Sequence, residues 1–392
     1  MFQPSKRLGI VFKISERCNL KCEYCYFFFS GDETWKKRPP LVTDDTVHGL
    51  GRFCSEAARS YNLNEIVITL HGGEPLLMRK SRFDWMCRTL RSYESGFRFI
   101  FHLQTNGALI DHEWVSLLAN HRVGVGISLD GDKSQNDIFR LDKRGQSSYD
   151  RTVNGLRLLQ TAASNRVCPP PGLLGVINPD EDGARAFNHF ASDLGAKQMN
   201  FLVPDYSHDS GITPGYAEGV GTYLNSVTKA WAKLRKPGVR IRFLHQIITL
   251  MASDEDEMRK TVPHDFRHLL VVSSDGRIGP EDTLHGLAER FRSMPGVVGE
   301  ARAEDVFESD VWAELEDTIS GPDACQSCQW LRVCRGGNPA NRFSSERGFN
   351  NPSIFCTQLK SLYQNVRNML EANSVPKALI DRNLEYRHDN AA

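Results

Sequence analysis

The chain has no charge excess of either sign: 48 Lys and Arg stand against 48 Asp and Glu across 392 residues. Proteins that grip nucleic acid usually carry a basic excess or a basic stripe. The local run Trp35-Lys36-Lys37-Arg38 reads as a solvated face, so nucleic acid is not an expected partner. Long apolar runs are missing too, so no membrane span is expected. The first twenty residues lack the apolar core and small-residue cleavage site of a secretory signal. The expected location is cytoplasmic. Thiols stay reduced there, so clustered cysteines read as metal ligands or catalysts and not as disulfides.

What is present suffices for a sizeable core: 40% of residues are hydrophobic and 24% charged, ordinary values for a globular protein. Six short apolar runs, at 9–14, 65–70, 97–103, 123–129, 173–177 and 199–203, are rich in Val, Ile, Leu and Phe and bounded by Gly, Pro, Asn or Asp. They read as parallel strands. Segments of helical spacing lie between them, as in Tyr149, Val153, Leu156 and Leu159. The alternation predicts an α/β fold, a partial (β/α)6 barrel with its chemistry at the C-terminal ends of the strands. It divides the chain into a barrel over 1–240, a linker and hairpin region over 241–320, and a small C-terminal iron–sulfur auxiliary domain with a final helix over 321–392. The run from Val271 to Ile278 predicts the hairpin, turning at Asp275-Gly276. A polar tail is expected from Asn383 onward.

Cys18, Cys22 and Cys25 follow the first predicted strand in a C-x3-C-x2-C spacing. Three thiolates in one short loop can converge on one centre, and thiolates favour iron–sulfur clusters or zinc. A structural zinc or an ordinary four-iron cluster wants four ligands; three leave one iron open. With Tyr24 before the last cysteine, the motif resembles the signature of the radical SAM superfamily. The resemblance implies a [4Fe–4S] cluster whose open iron binds S-adenosylmethionine, which on reduction yields a 5′-deoxyadenosyl radical. Other motifs fall in the family's order. Gly72-Gly73-Glu74-Pro75 after the second strand looks like the segment that meets the cofactor's methionine amine, with glycines where the chain approaches a ligand closely. Thr105 and Asn106 follow the third strand. Ser128 at the fourth and Arg140 beyond it match residues that contact ribose or carboxylate. Val176 at the fifth lies where such enzymes hold adenine.

Cys325, Cys328, Cys334 and Cys356 form a second, closed set, which a four-iron cluster or zinc suits. It resembles the SPASM extension of radical SAM enzymes that modify peptides. Asn338 and Glu281 stand where a fuller extension carries cysteine, so the resemblance implies one auxiliary [4Fe–4S] cluster and two clusters in all. Cys54 and Cys87 read as buried hydrophobes in helices. The residues around 13–35 and 342–359 are similar to cyclophane-forming peptide maturases. That likeness implies a precursor peptide as substrate, abstraction of a β-hydrogen, and a carbon–carbon crosslink to an aromatic ring. A flavodoxin or ferredoxin would donate electrons. Formylglycine or thioether formation is the alternative. Rearomatisation must release a proton. Asp282 is the candidate acceptor and Glu281 the second, unless both are surface acids.

Overall fold

A computed structural model describes residues 6–234, 238–261, 266–294, 296–316 and 318–385. It forms two compact units that interleave along the chain. The first holds 1–129, 136–174 and 265–313; the second holds 130–135, 175–264 and 314–392.

Among the described residues the sheet has nine strands: β1 (Arg7–Ser15), β2 (Glu65–Gly72), β3 (Arg98–Thr105), β4 (Gly124–Ser128), β5 (Gly172–Val176), β6 (Gln198–Leu202), β7 (Arg240–Ile241), β8 (Leu269–Val272) and β9 (Ile278–Gly279). Their order is β7-β6-β5-β4-β3-β2-β1-β8-β9. The six expected strands are present, in sequence order, as the partial (β/α)6 fold requires. Parallel neighbours need a crossover, and the helices Asp44–Ser60, Lys80–Arg91, His112–Asn120 and Tyr149–Ser164 supply one for each step from β1 to β5.

The strands are not buried on both sides. Along β1, Leu8, Ile10, Phe12 and Ile14 are fully buried, and Ile66, Ile68 and Leu70 do the same along β2. The other face, with Val11, Thr69, His71, Gln104 and Ser128, is half-buried. Because side chains alternate along a strand, every candidate residue on this second face comes from the opposite parity to the core residues. Lys13 is in register with His71 across β1 and β2 and lies on that face.

The predicted hairpin exists, but it belongs to the sheet. Its first strand, β8, pairs parallel with β1, Gly9 to Leu269 through Phe12 to Val272, and β9 returns antiparallel. Glu281 and Asp282 follow β9, one strand removed from β1, and Asp282 reaches back to Lys13 of β1.

In the second unit the helices Pro214–Lys233 and Cys356–Ala372 pack on each other, joined by Asn365 Nδ2 donating to Asn225 Oδ1 at 2.7 Å. A tail does not begin at Asn383, where the sequence places it. Asn383 is buried in the helix Lys377–Glu385 and donates to the carbonyls of Met251 and Ser253. Residues 386–392 lie outside the described residues. Among the described residues no helix is long and apolar enough to cross a membrane.

Phe12 is wholly buried in the strand that pairs with both β2 and β8. Phe12→Ala should destabilise the protein by about 3–5 kcal/mol, read from the denaturant midpoint of the purified chain.

Candidate functional site

The loop after β1 carries the three cysteines, all half-buried. The turn is closed by Cys25 N–H donating to Cys22 O at 3.0 Å, and Phe29 N–H donates to Cys25 O at 2.9 Å as a helical turn begins. Leu20 N–H donates to Cys18 Sγ at 3.3 Å. Burial pushes the Cys18 thiol up to about 12, with Glu74, Cys22 and Cys25 adding to it. Burial also raises Cys25, against Lys13 and Arg140. Ligating thiols give up their protons when a metal binds.

Gly72 and Gly73 are needed for a reason the sequence reading did not contain. A Cβ on Gly72, whose φ is +124°, would stand 2.1 Å from Ser15 O; one on Gly73 would stand 2.3 Å from Arg17 O. Their close approach is to the cysteine loop itself. Glu74 then ties three strand ends together. Its N–H donates to Arg17 O at 2.7 Å. Its carboxylate accepts from Thr105 Oγ1 at 2.7 Å and from Leu76 N and Asn106 N, both at 2.9 Å. Asn106 Nδ2 donates to Asn19 Oδ1 at 2.8 Å, inside the cysteine loop. Pro75 starts the short turn Pro75–Leu77.

Arg140 is buried, and its guanidinium lies 5.7 Å from the Tyr24 ring. It lowers the pKa of both Cys25 and Glu74, so it is a cation held at the cysteine loop and not a solvated charge. Ser128 Oγ accepts from Gln104 Nε2 at 2.8 Å on the half-buried face. Val176 belongs to the second unit, where its N–H donates to Asp130 Oδ1 at 3.1 Å.

Asp282 is no surface acid. It is buried and ion-paired with Lys13, and it accepts from the Tyr26 hydroxyl at 2.6 Å. Lys13 Nζ also donates to Tyr26 Oη at 3.0 Å and to His71 Nδ1 at 3.4 Å. Burial would raise the Asp282 carboxyl, but Lys13, His71 and His285 outweigh it and hold it well below the usual range. Burial and the Asp282 charge push Glu281 up to about 7. Burial pushes His71 down to about 3 and His285 down to about 4. At neutral pH this corner therefore holds an ionised Asp282, neutral imidazoles and a half-titrated Glu281. Two neighbouring carboxyls with separated pKa values are the pattern of acid–base chemistry. Phe27 and Phe28 are half-buried and Phe29 is exposed.

In the second unit Cys325 is buried and Cys328, Cys334 and Cys356 are half-buried. Burial pushes Cys334 up to about 11, opposed by a hydrogen bond from Tyr363 and reinforced by Cys356 and Cys325. Arg342 lies inside this knot at 2% exposure. It donates to the carbonyls of Thr318 at 2.7 Å, Phe349 at 3.1 Å and Arg335 at 3.2 Å. Asn338 is the N-cap of the turn Pro339–Arg342, accepting from Ala340 N at 2.9 Å.

A family profile described as the radical SAM superfamily matches residues 12–181. A serine-type anaerobic sulfatase-maturating enzyme of Bacteroides thetaiotaomicron is 32% identical over 353 residues, 83% of this chain and 81% of the relative. The chain belongs to the radical SAM superfamily. Another relative of this radical SAM protein, an Fe-coproporphyrin III synthase of Methanosarcina barkeri, is also 32% identical, over 86% of this chain and 84% of the relative. Identity at this level thus spans different reactions. The solved structure titled "Native anSMEcpe with bound AdoMet and Cp18Cys peptide" superposes with a TM-score of 0.77 at 21% identity, covering 94% of this chain and 100% of that one, which is a likeness of fold.

Radical SAM proteins work with S-adenosylmethionine and a [4Fe–4S] cluster, and the residues here fit both. Three cysteines leave a cluster iron for the cofactor's donor atoms. The seven cysteines form two sets, enough for two clusters.

Sequence reasoning missed Lys13, Tyr26 and His71 around Asp282, and Arg342 and Tyr363 around the second set. One signal was available: a lysine inside an apolar strand run must find a partner. Cys22→Ser and Cys328→Ser should each lower bound iron in the anaerobically reconstituted protein by about half, since each removes a ligand of one of two four-iron clusters. Only Cys22→Ser should also abolish reductive cleavage of S-adenosylmethionine, read as 5′-deoxyadenosine.

Proposed function

We propose that this enzyme is a maturase that oxidises a peptide side chain at its β-carbon, with Asp282 as the acceptor of the released proton. The carrying observation is a buried, ionised carboxylate held by Tyr26, the residue next to Cys25. S-adenosylmethionine and the clusters, when bound, would supply hydrogen-atom abstraction and one-electron uptake. Cys18, Cys22 and Cys25 would hold the first cluster, and Cys325, Cys328, Cys334 and Cys356 the auxiliary one, as in a reduced SPASM extension. The peptide then loses one hydrogen as an atom and a second as a proton and an electron. The proton goes to Asp282, which is ionised at working pH and so available as a base. Tyr24 and Arg140, in contact beside the cysteine loop, would lie against the bound cofactor. Thr105, Asn106, Ser128 and Val176 remain the proposed cofactor neighbours. A flavodoxin or ferredoxin is the proposed electron donor.

Two products satisfy this balance. Oxidation of Ser or Cys toward formylglycine is favoured by the relatives, whose names are those of sulfatase-maturating enzymes. It therefore ranks ahead of the crosslink that the sequence motifs put first. Crosslinking to an arene is the second reading. It rests on the four-cysteine second set and on Glu281 and Asn338, which replace the cysteines of a fuller extension.

The test uses two synthetic peptides, one with a central Cys and one with a central Ser, each with a Trp two residues away. Formylglycine formation gives a product captured by a hydrazide. A crosslink gives loss of two hydrogens without capture and resists fragmentation between the joined residues. In Asp282→Asn, 5′-deoxyadenosine should persist while modified peptide falls by about 10²-fold or more, the usual worth of a positioned base. Undiminished product in that variant would remove Asp282 from the reaction, and no change to either peptide would refute the peptide reading.

A further inference from the structure

Lys13 is the most deeply buried cation among the described residues of the first unit, at 1% exposure. Its ammonium has three N–H groups, and three acceptors meet it: the Asp282 carboxylate, Tyr26 Oη and His71 Nδ1. The Phe27 ring covers it at 4.7 Å. A lysine so saturated has no hydrogen left for a peptide or cofactor, so whatever it does runs through its partners.

Both contacts to Asp282, from Lys13 and from Tyr26, fall on Oδ2. Oδ1 makes no hydrogen bond among the described residues. The carboxylate is held by one oxygen and offers the other. The groups facing it are Lys13 from β1, Tyr26 from the turn after Cys25, His71 from β2, and Glu281 and His285 from the turns after β9. Of these only Lys13 carries a fixed positive charge. The imidazoles are neutral at working pH, and Glu281 opposes ionisation of its neighbour.

We propose that Lys13 is the positioning residue of the proton acceptor: with Tyr26 it pins Oδ2 of Asp282, leaves Oδ1 as the accepting atom, and balances the carboxylate's charge. This rests on the reading of Asp282 as the base. Without Lys13 the same carboxyl would sit buried beside Glu281 with no counterion, and buried acids in that state take up a proton. A protonated Asp282 accepts nothing, so hydrogen abstraction would continue while product formation stalls.

The first measurement needs no peptide. In cluster-loaded full-length protein at pH 7, the infrared difference between Lys13→Met and Lys13→Met/Asp282→Asn should show a protonated-carboxyl band. The difference between wild type and Asp282→Asn should show carboxylate only. Lys13→Arg should keep the carboxylate, and Lys13→Gln serves as the second variant where Lys13→Met does not fold. Carboxylate bands alone in the neutral variants would overturn the proposal. The second measurement uses the Cys- and Ser-centred peptides. Product per 5′-deoxyadenosine should gain an acid limb in Lys13→Met, falling about tenfold per pH unit below its midpoint, where wild type stays flat. A variant profile parallel to wild type would likewise overturn it. Should Asp282→Asn still make product at the wild-type rate, the base reading falls while the infrared result still decides the role of Lys13 in ionisation.

Discussion

The carboxylate of Glu74 is the knot on which the cysteine loop depends. It gathers Leu76 from its own turn and Thr105 and Asn106 from the end of β3, while its N–H reaches back to Arg17 beyond β1. Burial works against its charge, and the three accepted hydrogen bonds together with Arg140 work for it. A buried carboxylate is costly unless its lone pairs are used, and here each oxygen is used. The close backbone contacts of Gly72 and Gly73 with Ser15 and Arg17 complete the same joint. The three thiols are thus presented by a loop with rigid backing, and Asn106 extends the backing to Asn19.

How far this was legible follows from the range of each interaction. The six strands were found within two residues or so of their observed ends because their signal is local: apolar side chains alternating on a pleated backbone between turn residues. The cysteine sets were legible from spacing alone. The Asp282 corner was not, because Lys13 and Asp282 are 269 positions apart, and only the addition of β8 alongside β1 brings them together. The hairpin was recognised, but nothing in its own residues says that its first strand extends the sheet. Arg342 and Tyr363 were invisible for the same reason. An arginine in a polar segment and a tyrosine on a helix face look ordinary until the carbonyls and thiols around them are known.

On the proposed reading, nothing around Asp282 is specific to one product. An ionised carboxylate beside neutral imidazoles can take a proton from an oxidised alcohol, an oxidised thiol or a substituted arene. The group of the substrate standing next to the carbon that has lost its hydrogen would then select between the two proposed products.

Arg342 has a different kind of consequence. Its guanidinium bridges carbonyls of three separate turns, at Thr318, Arg335 and Phe349, between and beside the four cysteines of the second set. Gathering those turns costs chain entropy, and in small metal-nucleated domains the incoming ion meets that cost by itself. Here an internal cation made of protein ties the same turns together, so a chain without Arg342 would leave the whole of that cost to the metal.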